Sequence, residues 1–264
     1  MRFTGIVAAL FLACKLASSQ QPPPVTSALV ENVQLDPERK AVRFDIRNLG
    51  TKSITGVEAF LTEIGPAGNV ILCNGGGQDM LDWSDPMPGT EFYVNMRRSW
   101  IQPNSTLQSV RYLSHCKELL DSPQNARIEL RIITFDDGTS EGDPNLINFF
   151  YRYRKITLEE RLKWLPRFVA LRTTADLAGD AKRLYQDLTD AKYRVESDTA
   201  AADSNALTRS SLEKLQGVAR EIVVYSETHR TLEPESIAAW RITDLEQRTA
   251  RMIRGIGSPD IASQ

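Results

Sequence analysis

The chain has 264 residues, of which 41% are hydrophobic and 25% are charged, and its formal net charge is −2. This composition is typical of a globular protein, and the mildly acidic balance excludes the basic surface that nucleic-acid binding requires. About 245 residues follow the leader described next, which is enough for one large domain or two small ones.

Residues 1–19 have the three-part pattern of a secretory signal peptide. A basic start precedes an apolar run at 5–13 (GIVAALFLA), and Ala17 and Ser19 are small residues at positions −3 and −1 of a cleavage site before Gln20. The apolar run is too short to span a bilayer, and no later segment is long and apolar enough, so we expect no transmembrane helix in the mature chain. The sequence therefore predicts an exported protein, secreted or periplasmic.

Lipidation at Cys14 is an alternative for the same leader. The stretch FLAC at 11–14 approximates a bacterial lipobox, although Phe11 stands where Leu or Val is usual. A lipid at Cys14 would make the protein a membrane-anchored envelope lipoprotein instead of a released one. In either case, three consecutive prolines within residues 20–27 favour an extended spacer before the folded part.

Residues 28–143 show the two-residue periodicity of β-strands. Val42, Phe44 and Ile46 alternate with charged residues, which is typical of a half-buried strand, and residues 54–64 predict a longer one. The same criteria place further strands at 30–35, 69–73, 92–96, 107–112 and 128–135, with turns at 36–40, 48–50 and 65–68. Short strands joined by turns at this spacing predict an antiparallel β-sandwich.

The segment LDPERKAVRFDIRNLGTKSITGVEAFLTEI, a hairpin followed by an N-x-G turn and a long strand, resembles the immunoglobulin-like sandwich modules of secreted bacterial proteins. The resemblance covers residues 28–143 and implies architecture alone, because it brings no catalytic signature. The Cys…Trp…Cys spacing of antibody domains is absent.

Cys73 and Cys116 are the two cysteines of the mature chain, 43 positions apart. In an oxidising compartment an even pair forms a disulfide more often than a metal site, and we expect a Cys73–Cys116 bridge. Two buried thiols that do not meet are the alternative.

Residues 144–254 change to helical periodicity. Asp143 and Pro144 predict an N-cap and a first helical residue. The stretch TLEE at 157–160 matches a capping box, and Pro166 is expected to break or kink the helix. Two a/d-like seams follow at 177–195 and 212–226, joined by a polar loop, and a last helix begins at Pro234. The predicted fold class is therefore α+β: a β-sandwich, then a helical region with a coiled-coil-like antiparallel hairpin and a flexible tail at 255–264.

The stretch GTSEG at 138–142 matches the G-x-S-x-G nucleophile motif, with Ser140 as the nucleophile. The stretch NGGG at 74–77 is similar to the oxyanion loop of some lipases, and His229 follows downstream, so an esterase-like serine hydrolase is an alternative function. We favour a turn at Asp137-Gly138 with Ser140 in a polar loop before a capped helix. Strands precede helices here, whereas the hydrolase fold alternates them around a parallel sheet.

Four carboxylates near this motif offer hard oxygen ligands for calcium, namely Asp136, Asp137, Glu141 and Asp143. Their spacing misses the EF-hand pattern, and we favour a solvated acidic loop. His115 beside Cys116 is too small a set for zinc. No cofactor or metal is predicted.

Aromatic and basic residues alternate at 149–155 (FFYRYRK), where we expect the aromatic side chains to pack between sheet and helices and the arginines to point outward. Together these patterns predict a non-catalytic exported interaction or structural protein. Its partner would be an unidentified protein, or a second copy that associates through the helical seams.

Overall fold

The computed structural model describes residues 22–64, 70–82, 100–113, 126–197, 202–228 and 234–256. β-Sheets occupy the N-terminal part and four helices the C-terminal part, so the α+β class is confirmed. The leader with Cys14, the strand predicted at 92–96, His115, Cys116, His229 and most of the predicted tail lie outside the described residues.

The strands form two antiparallel sheets. One sheet has the order β1-β2-β5, with β1 at Ala28–Asp36, β2 at Ala41–Asn48 and β5 at Thr106–Tyr112. The second has the order β4-β3-β6-β7, with β3 at Ile54–Ile64, β4 at Val70–Asp79, β6 at Ala126–Phe135 and β7 at Ser140–Gly142. A 3₁₀ turn at Met80–Asp82 follows β4.

In β2 the alternation of apolar and charged residues in the sequence matches the observed alternation of burial. Val42, Phe44 and Ile46 are buried as expected, and Phe44 and Ile46 pack with Val57 of β3 and Ile133 of β6 in one hydrophobic cluster. The two sheets therefore share a core. This burial supplies the main favourable free energy of the β part.

The first helix, α1, is one continuous helix at Pro144–Ala170. Asp143 caps it as predicted, since its carboxylate accepts a hydrogen bond from the Asn145 N–H at 2.9 Å. The helix start expected at Thr157 is wrong: Thr157 is buried mid-helix, with its hydroxyl 2.9 Å from that of Ser211. The break expected at Pro166 is also wrong, since α1 continues through it, and the alternative of a kink stays a prediction.

Packing explains why Pro166 does not end the helix. Trp164 and Phe168, on either side of it, are both buried in the helical core. Proline removes one backbone hydrogen bond, and the burial of two large aromatic side chains offsets that loss.

The remaining helices are α2 (Leu177–Ser197), α3 (Ala202–Thr228) and α4 (Pro234–Gly255). Three ion pairs show that α2 and α3 run antiparallel, because partner numbers fall in α3 as they rise in α2: Lys182 with Glu227, Lys192 with Glu213 and Glu196 with Arg209.

Both predicted seams are buried in the shared helical core of the chain. Their apolar residues pack against the chain's own helices, so the surface expected for self-association is used within the molecule. None of the described helices combines the length and apolarity that crossing a bilayer needs.

Candidate functional site

Ser140 lies in β7, where it pairs with Thr134 of the antiparallel strand β6. The turn expected at Asp137-Gly138 is present, whereas Ser140 lies in a short strand and not in the polar loop expected for it. Ser140 is thus not at a turn between a parallel strand and a helix. The stretch at 74–77 is part of β4, where Gly77 pairs with Glu58, so the expected oxyanion loop is wrong. His229 lies outside the described residues, and the serine hydrolase stays a prediction.

The four candidate calcium ligands have separate surroundings. Asp137 pairs with Lys52 at 2.6 Å, Glu141 accepts the Ser27 N–H at 2.9 Å, and Asp143 both caps α1 and pairs with Arg131 at 3.0 Å. The side chain of Asp136 is exposed. Among the described residues, no group of three or more His, Cys, Asp or Glu side chains is placed to hold a metal ion.

Hydrogen bonds set the pKa values of two of these carboxyls. Partial burial raises the pKa of Asp137, but hydrogen bonds from Lys52 and Thr139 outweigh it and bring the pKa to about 2. Partial burial likewise raises the pKa of Glu141, and hydrogen bonds from Ser27 and Thr26 outweigh it and lower the pKa. Glu141 thus attaches the segment before β1 to β7, so the predicted spacer is part of the fold by Thr26.

A cleft of about 630 Å³ lies between the second sheet and the helices. Gly77 and Asp79 of β4 line one wall, Phe149 and Tyr153 of α1 line another, and the far side is formed by α3 and α4. The cleft is therefore built where the sheet and the helical layer meet.

Two glycines let α1 approach the second sheet closely. A Cβ at Gly56 of β3 would lie 2.7 Å from the Phe150 ring, and one at Gly77 would lie 3.1 Å from the same ring. Phe150 is buried in this gap. Because these two strand positions have no side chain, α1 lies close enough to the sheet to form one side of the cleft.

Arg154, one turn after Phe150, is the most buried charged residue at this junction. Its side chain is 0% exposed and makes a bidentate ion pair with Asp79, through Nε to Oδ2 at 3.0 Å and Nη2 to Oδ1 at 2.8 Å. It also donates to the Thr55 carbonyl oxygen at 3.2 Å. The expectation that the arginines of this stretch point outward is wrong for Arg154, because Asp79 and Thr55 supply acceptors inside.

Asp82, at the end of the 3₁₀ turn, forms ion pairs with three cationic side chains. Its carboxylate accepts a hydrogen bond from Arg161 of α1 and another from Lys214 Nζ of α3 at 2.5 Å, and Arg248 Nη1 of α4 lies at 3.5 Å. Arg248 Nη2 lies 3.0 Å from the carboxylate of Asp244. One carboxylate therefore connects three helices to the second sheet.

Burial disfavours the charged forms of the arginines in this group. Burial, and then repulsion from Arg248, lower the pKa of Arg161 to about 9. Burial also lowers the pKa of Arg248, and attraction to Asp244 opposes the shift. Both shifts therefore follow mainly from the burial of the two guanidinium groups.

The sequence prediction missed these residues, although a signal was present. The buried residues of α1 follow steps of four and three, the same spacing as the seams, and they are Phe150, Arg154, Thr157, Arg161, Trp164 and Phe168. A search for apolar seams omits this stripe, because two of its members are arginines.

No protein-family model, curated protein or solved structure matches this chain.

Proposed function

We propose that this chain is a non-catalytic exported binding protein, and that the cleft between the second sheet and the helices holds its ligand. A volume of about 630 Å³ falls within the range of roughly 300–1,000 Å³ that small-molecule sites occupy. The lining mixes apolar side chains, such as Leu207 and Val218, with a few charged ones. This combination is typical of ligand pockets.

Gly217 is the observation that carries the proposal. It lies in the interior of α3 and lines the cleft, and a Cβ built on it meets no described atom within 4 Å. Glycine in a helix interior costs about 1 kcal/mol relative to alanine. Close packing does not explain this glycine, whereas a need for open space in the cleft does.

The remaining parts of the proposal concern architecture. Strands one, two and five share one sheet and strands three, four, six and seven share the other, which supports an immunoglobulin-like sandwich. The antiparallel ion pairs between α2 and α3 support a coiled-coil-like hairpin. The leader pattern at residues 1–19 supports export.

The proposed Cys73–Cys116 disulfide fits the exported protein. Cys73 is buried in a cluster with Val42, Leu61 and Leu113. Leu113 is only three residues before Cys116, a length of chain that spans at most about 10 Å. We expect the mature protein to show no free thiol when it is unfolded without reductant and titrated with a thiol reagent.

A variant that fills the cleft tests the proposed site. In Gly217→Leu the Cβ would meet open space, the rest of the side chain would occupy part of the cleft, and leucine would improve helix propensity. The control is Arg220→Leu, which places the same side chain at an exposed position of the same helix, away from the cleft lining. Binding of a diverse fragment library is measured by saturation-transfer NMR on the wild type and both variants.

We expect fragments to bind the wild type and Arg220→Leu, and most of those signals to disappear in Gly217→Leu. Fragment binding that survives unchanged in Gly217→Leu, or a wild type that binds no fragment, would contradict the proposal.

A further inference from the structure

The charges around Asp82 do not balance. Arg161, Lys214 and Arg248 all face this single carboxylate, and among the described residues the one further carboxylate that forms an ion pair with them is Asp244. Three cations against two anions leave one positive charge uncompensated in this group. Arg161 and Arg248 are buried, where little water is present to screen their charges, whereas Lys214 is partly exposed.

Buried donors in the same group also lack acceptors. Arg161 Nη1 and Arg248 Nε are buried and have no hydrogen-bond partner among the described residues. Arg248 itself lines the cleft, and 8% of its side chain is exposed. Buried polar groups are normally satisfied, and because Arg248 lines the cleft, its Nε indicates a position that another acceptor would complete.

The excess positive charge around Asp82 is not needed to hold the helices against the sheet. Asp79 and Arg154 already form a bidentate pair of one cation and one carboxylate between β4 and α1. Glu221, a further acidic residue of the lining, forms an ion pair with Arg241. The group around Asp82 differs from both pairs, because it contains more cations than carboxylates.

Lys214 is the member of the group that a ligand can reach. Its side chain is 44% exposed, it lines the cleft, and its Nζ lies 5.0 Å from the centre of the Tyr153 ring. A lysine side chain has four rotatable bonds and turns readily. If Nζ turned to a ligand, Asp82 would keep Arg161 and Arg248 as partners.

Apolar groups lie beside Lys214 in the same cleft. Phe149 is 47% exposed on α1, and Leu207 and Val218 contribute from α3. Exposed aromatic surface next to a cation favours a ligand with an apolar body and an acidic group.

We propose that the ligand of the cleft is an amphiphilic organic anion, whose acidic group binds Lys214 beside Arg248 and whose apolar body lies against Phe149 and Val218. This inference depends on the proposed function, since it specifies the ligand of the same cleft. It concerns the charge of the ligand, which the proposed function leaves open.

Two fluorescent probes of similar shape distinguish a failure of the inferred ligand charge from a failure of the proposed binding function. 8-Anilinonaphthalene-1-sulfonate is an aromatic anion, and N-phenyl-1-naphthylamine has the same aromatic skeleton without the sulfonate. Both are titrated against the wild type, Lys214→Met, Gly217→Leu and the control Lys182→Met. Lys182 is a lysine of α2 outside the cleft lining, so its replacement removes the same charge elsewhere.

We expect the anionic probe to bind the wild type and Lys182→Met alike, and Lys214→Met about tenfold more weakly, as the loss of one charged hydrogen bond implies. The neutral probe should bind more weakly and show no response to Lys214→Met. Gly217→Leu should weaken both probes.

Equal binding of the two probes, with Lys214→Met without effect on either, would overturn the inference and leave the proposed function intact. Probes that do not bind the wild type, or that bind Gly217→Leu normally, would overturn both. If Lys214→Met does not fold, the salt dependence of probe binding to the wild type decides. Raising the salt concentration from about 0.05 to about 0.5 M should weaken binding of the anionic probe and leave binding of the neutral probe unchanged.

Discussion

Replacing Arg154 with methionine tests whether the ion pair with Asp79 holds the helices against the second sheet. The guanidinium is fully buried, makes two hydrogen bonds to one carboxylate and lies 4.7 Å from the centre of the Phe150 ring. Methionine keeps most of the length and apolar contact of the side chain and removes the charge. The variant therefore removes the ion pair together with the hydrogen bonds to Thr55 and Thr134, and the double-variant cycle below separates the contribution of Asp79.

The expected cost follows from the burial of the partner. In Arg154→Met the carboxylate of Asp79 stays buried without its counter-charge, and breaking a buried ion pair in this way costs about 3–5 kcal/mol. Asp79→Asn removes the negative charge of the same ion pair and should also lower the free energy of unfolding. Because the two side chains contact each other, the double variant should lose about 2 kcal/mol less than the sum of the single variants.

Urea unfolding followed by circular dichroism gives the free energy of unfolding for each of the four proteins. The wild type, the two single variants and the double variant form a complete thermodynamic cycle. A cost below about 1 kcal/mol for Arg154→Met, or single effects that simply add, would refute the assignment of a buried structural ion pair.

Three further changes have expected outcomes. Gly217→Ala should raise the free energy of unfolding by about 0.5–1 kcal/mol, since it improves helix propensity in open space. Gly56→Ala should lower it by about 1–3 kcal/mol, because the new methyl group would lie 2.7 Å from the Phe150 ring. Asp137→Asn should cost at most about 1 kcal/mol at neutral pH, since the ion pair with Lys52 is nearly half exposed.

The Asp137 effect should depend on pH in a fixed direction. The pKa of this carboxyl is about 2, below its ordinary value of 3.8, so its charged form is stabilised in the folded state. The stabilisation is present above pH 4 and is lost as the pH falls towards 2. Unfolding free energies of the wild type and Asp137→Asn should therefore converge as the pH falls from 4 through 2, and a difference as large at pH 2 as at pH 7 would contradict the assigned pKa.

Chemical denaturation also checks the two glycine variants. A Gly217→Ala protein less stable than the wild type would mean that a group occupies the space beside Gly217. A Gly56→Ala protein as stable as the wild type would mean that Phe150 and α1 move aside without cost.

The parts of the fold that follow from local periodicity could be predicted. The alternation of Val42, Phe44 and Ile46 predicted β2, and the apolar steps along α2 and α3 predicted two buried seams. The Asp143–Pro144 pair predicted the start of α1. Each of these signals lies within one element, so no tertiary information is needed to recognise it.

The parts that failed depend on contacts between elements. The TLEE stretch matches a capping box, yet Thr157 is mid-helix because α1 packs along its whole length. Glycines 75–77 have the composition of a loop, yet β3 pairs with them as part of β4. Ser140 is in a strand because β6 is beside it. Tertiary packing overrides local preference in all three cases.

The candidate site itself could not be predicted, for a related reason. Its charges come from a 3₁₀ turn and three helices that are far apart in sequence, namely Asp82, Arg161, Lys214 and Arg248. A polar residue in a helical stripe is normally assigned to the surface, and only the position of Asp82 shows why these arginines face inward.

A chemical-shift map of the ¹⁵N-labelled protein with the anionic naphthalene probe tests the central claim most directly. If the cleft is the binding site, the amide shifts should concentrate at residues 77–79, 149–153 and 207–218, which line it. Shifts confined to any other surface, with these three segments unperturbed at saturating probe, would contradict the account.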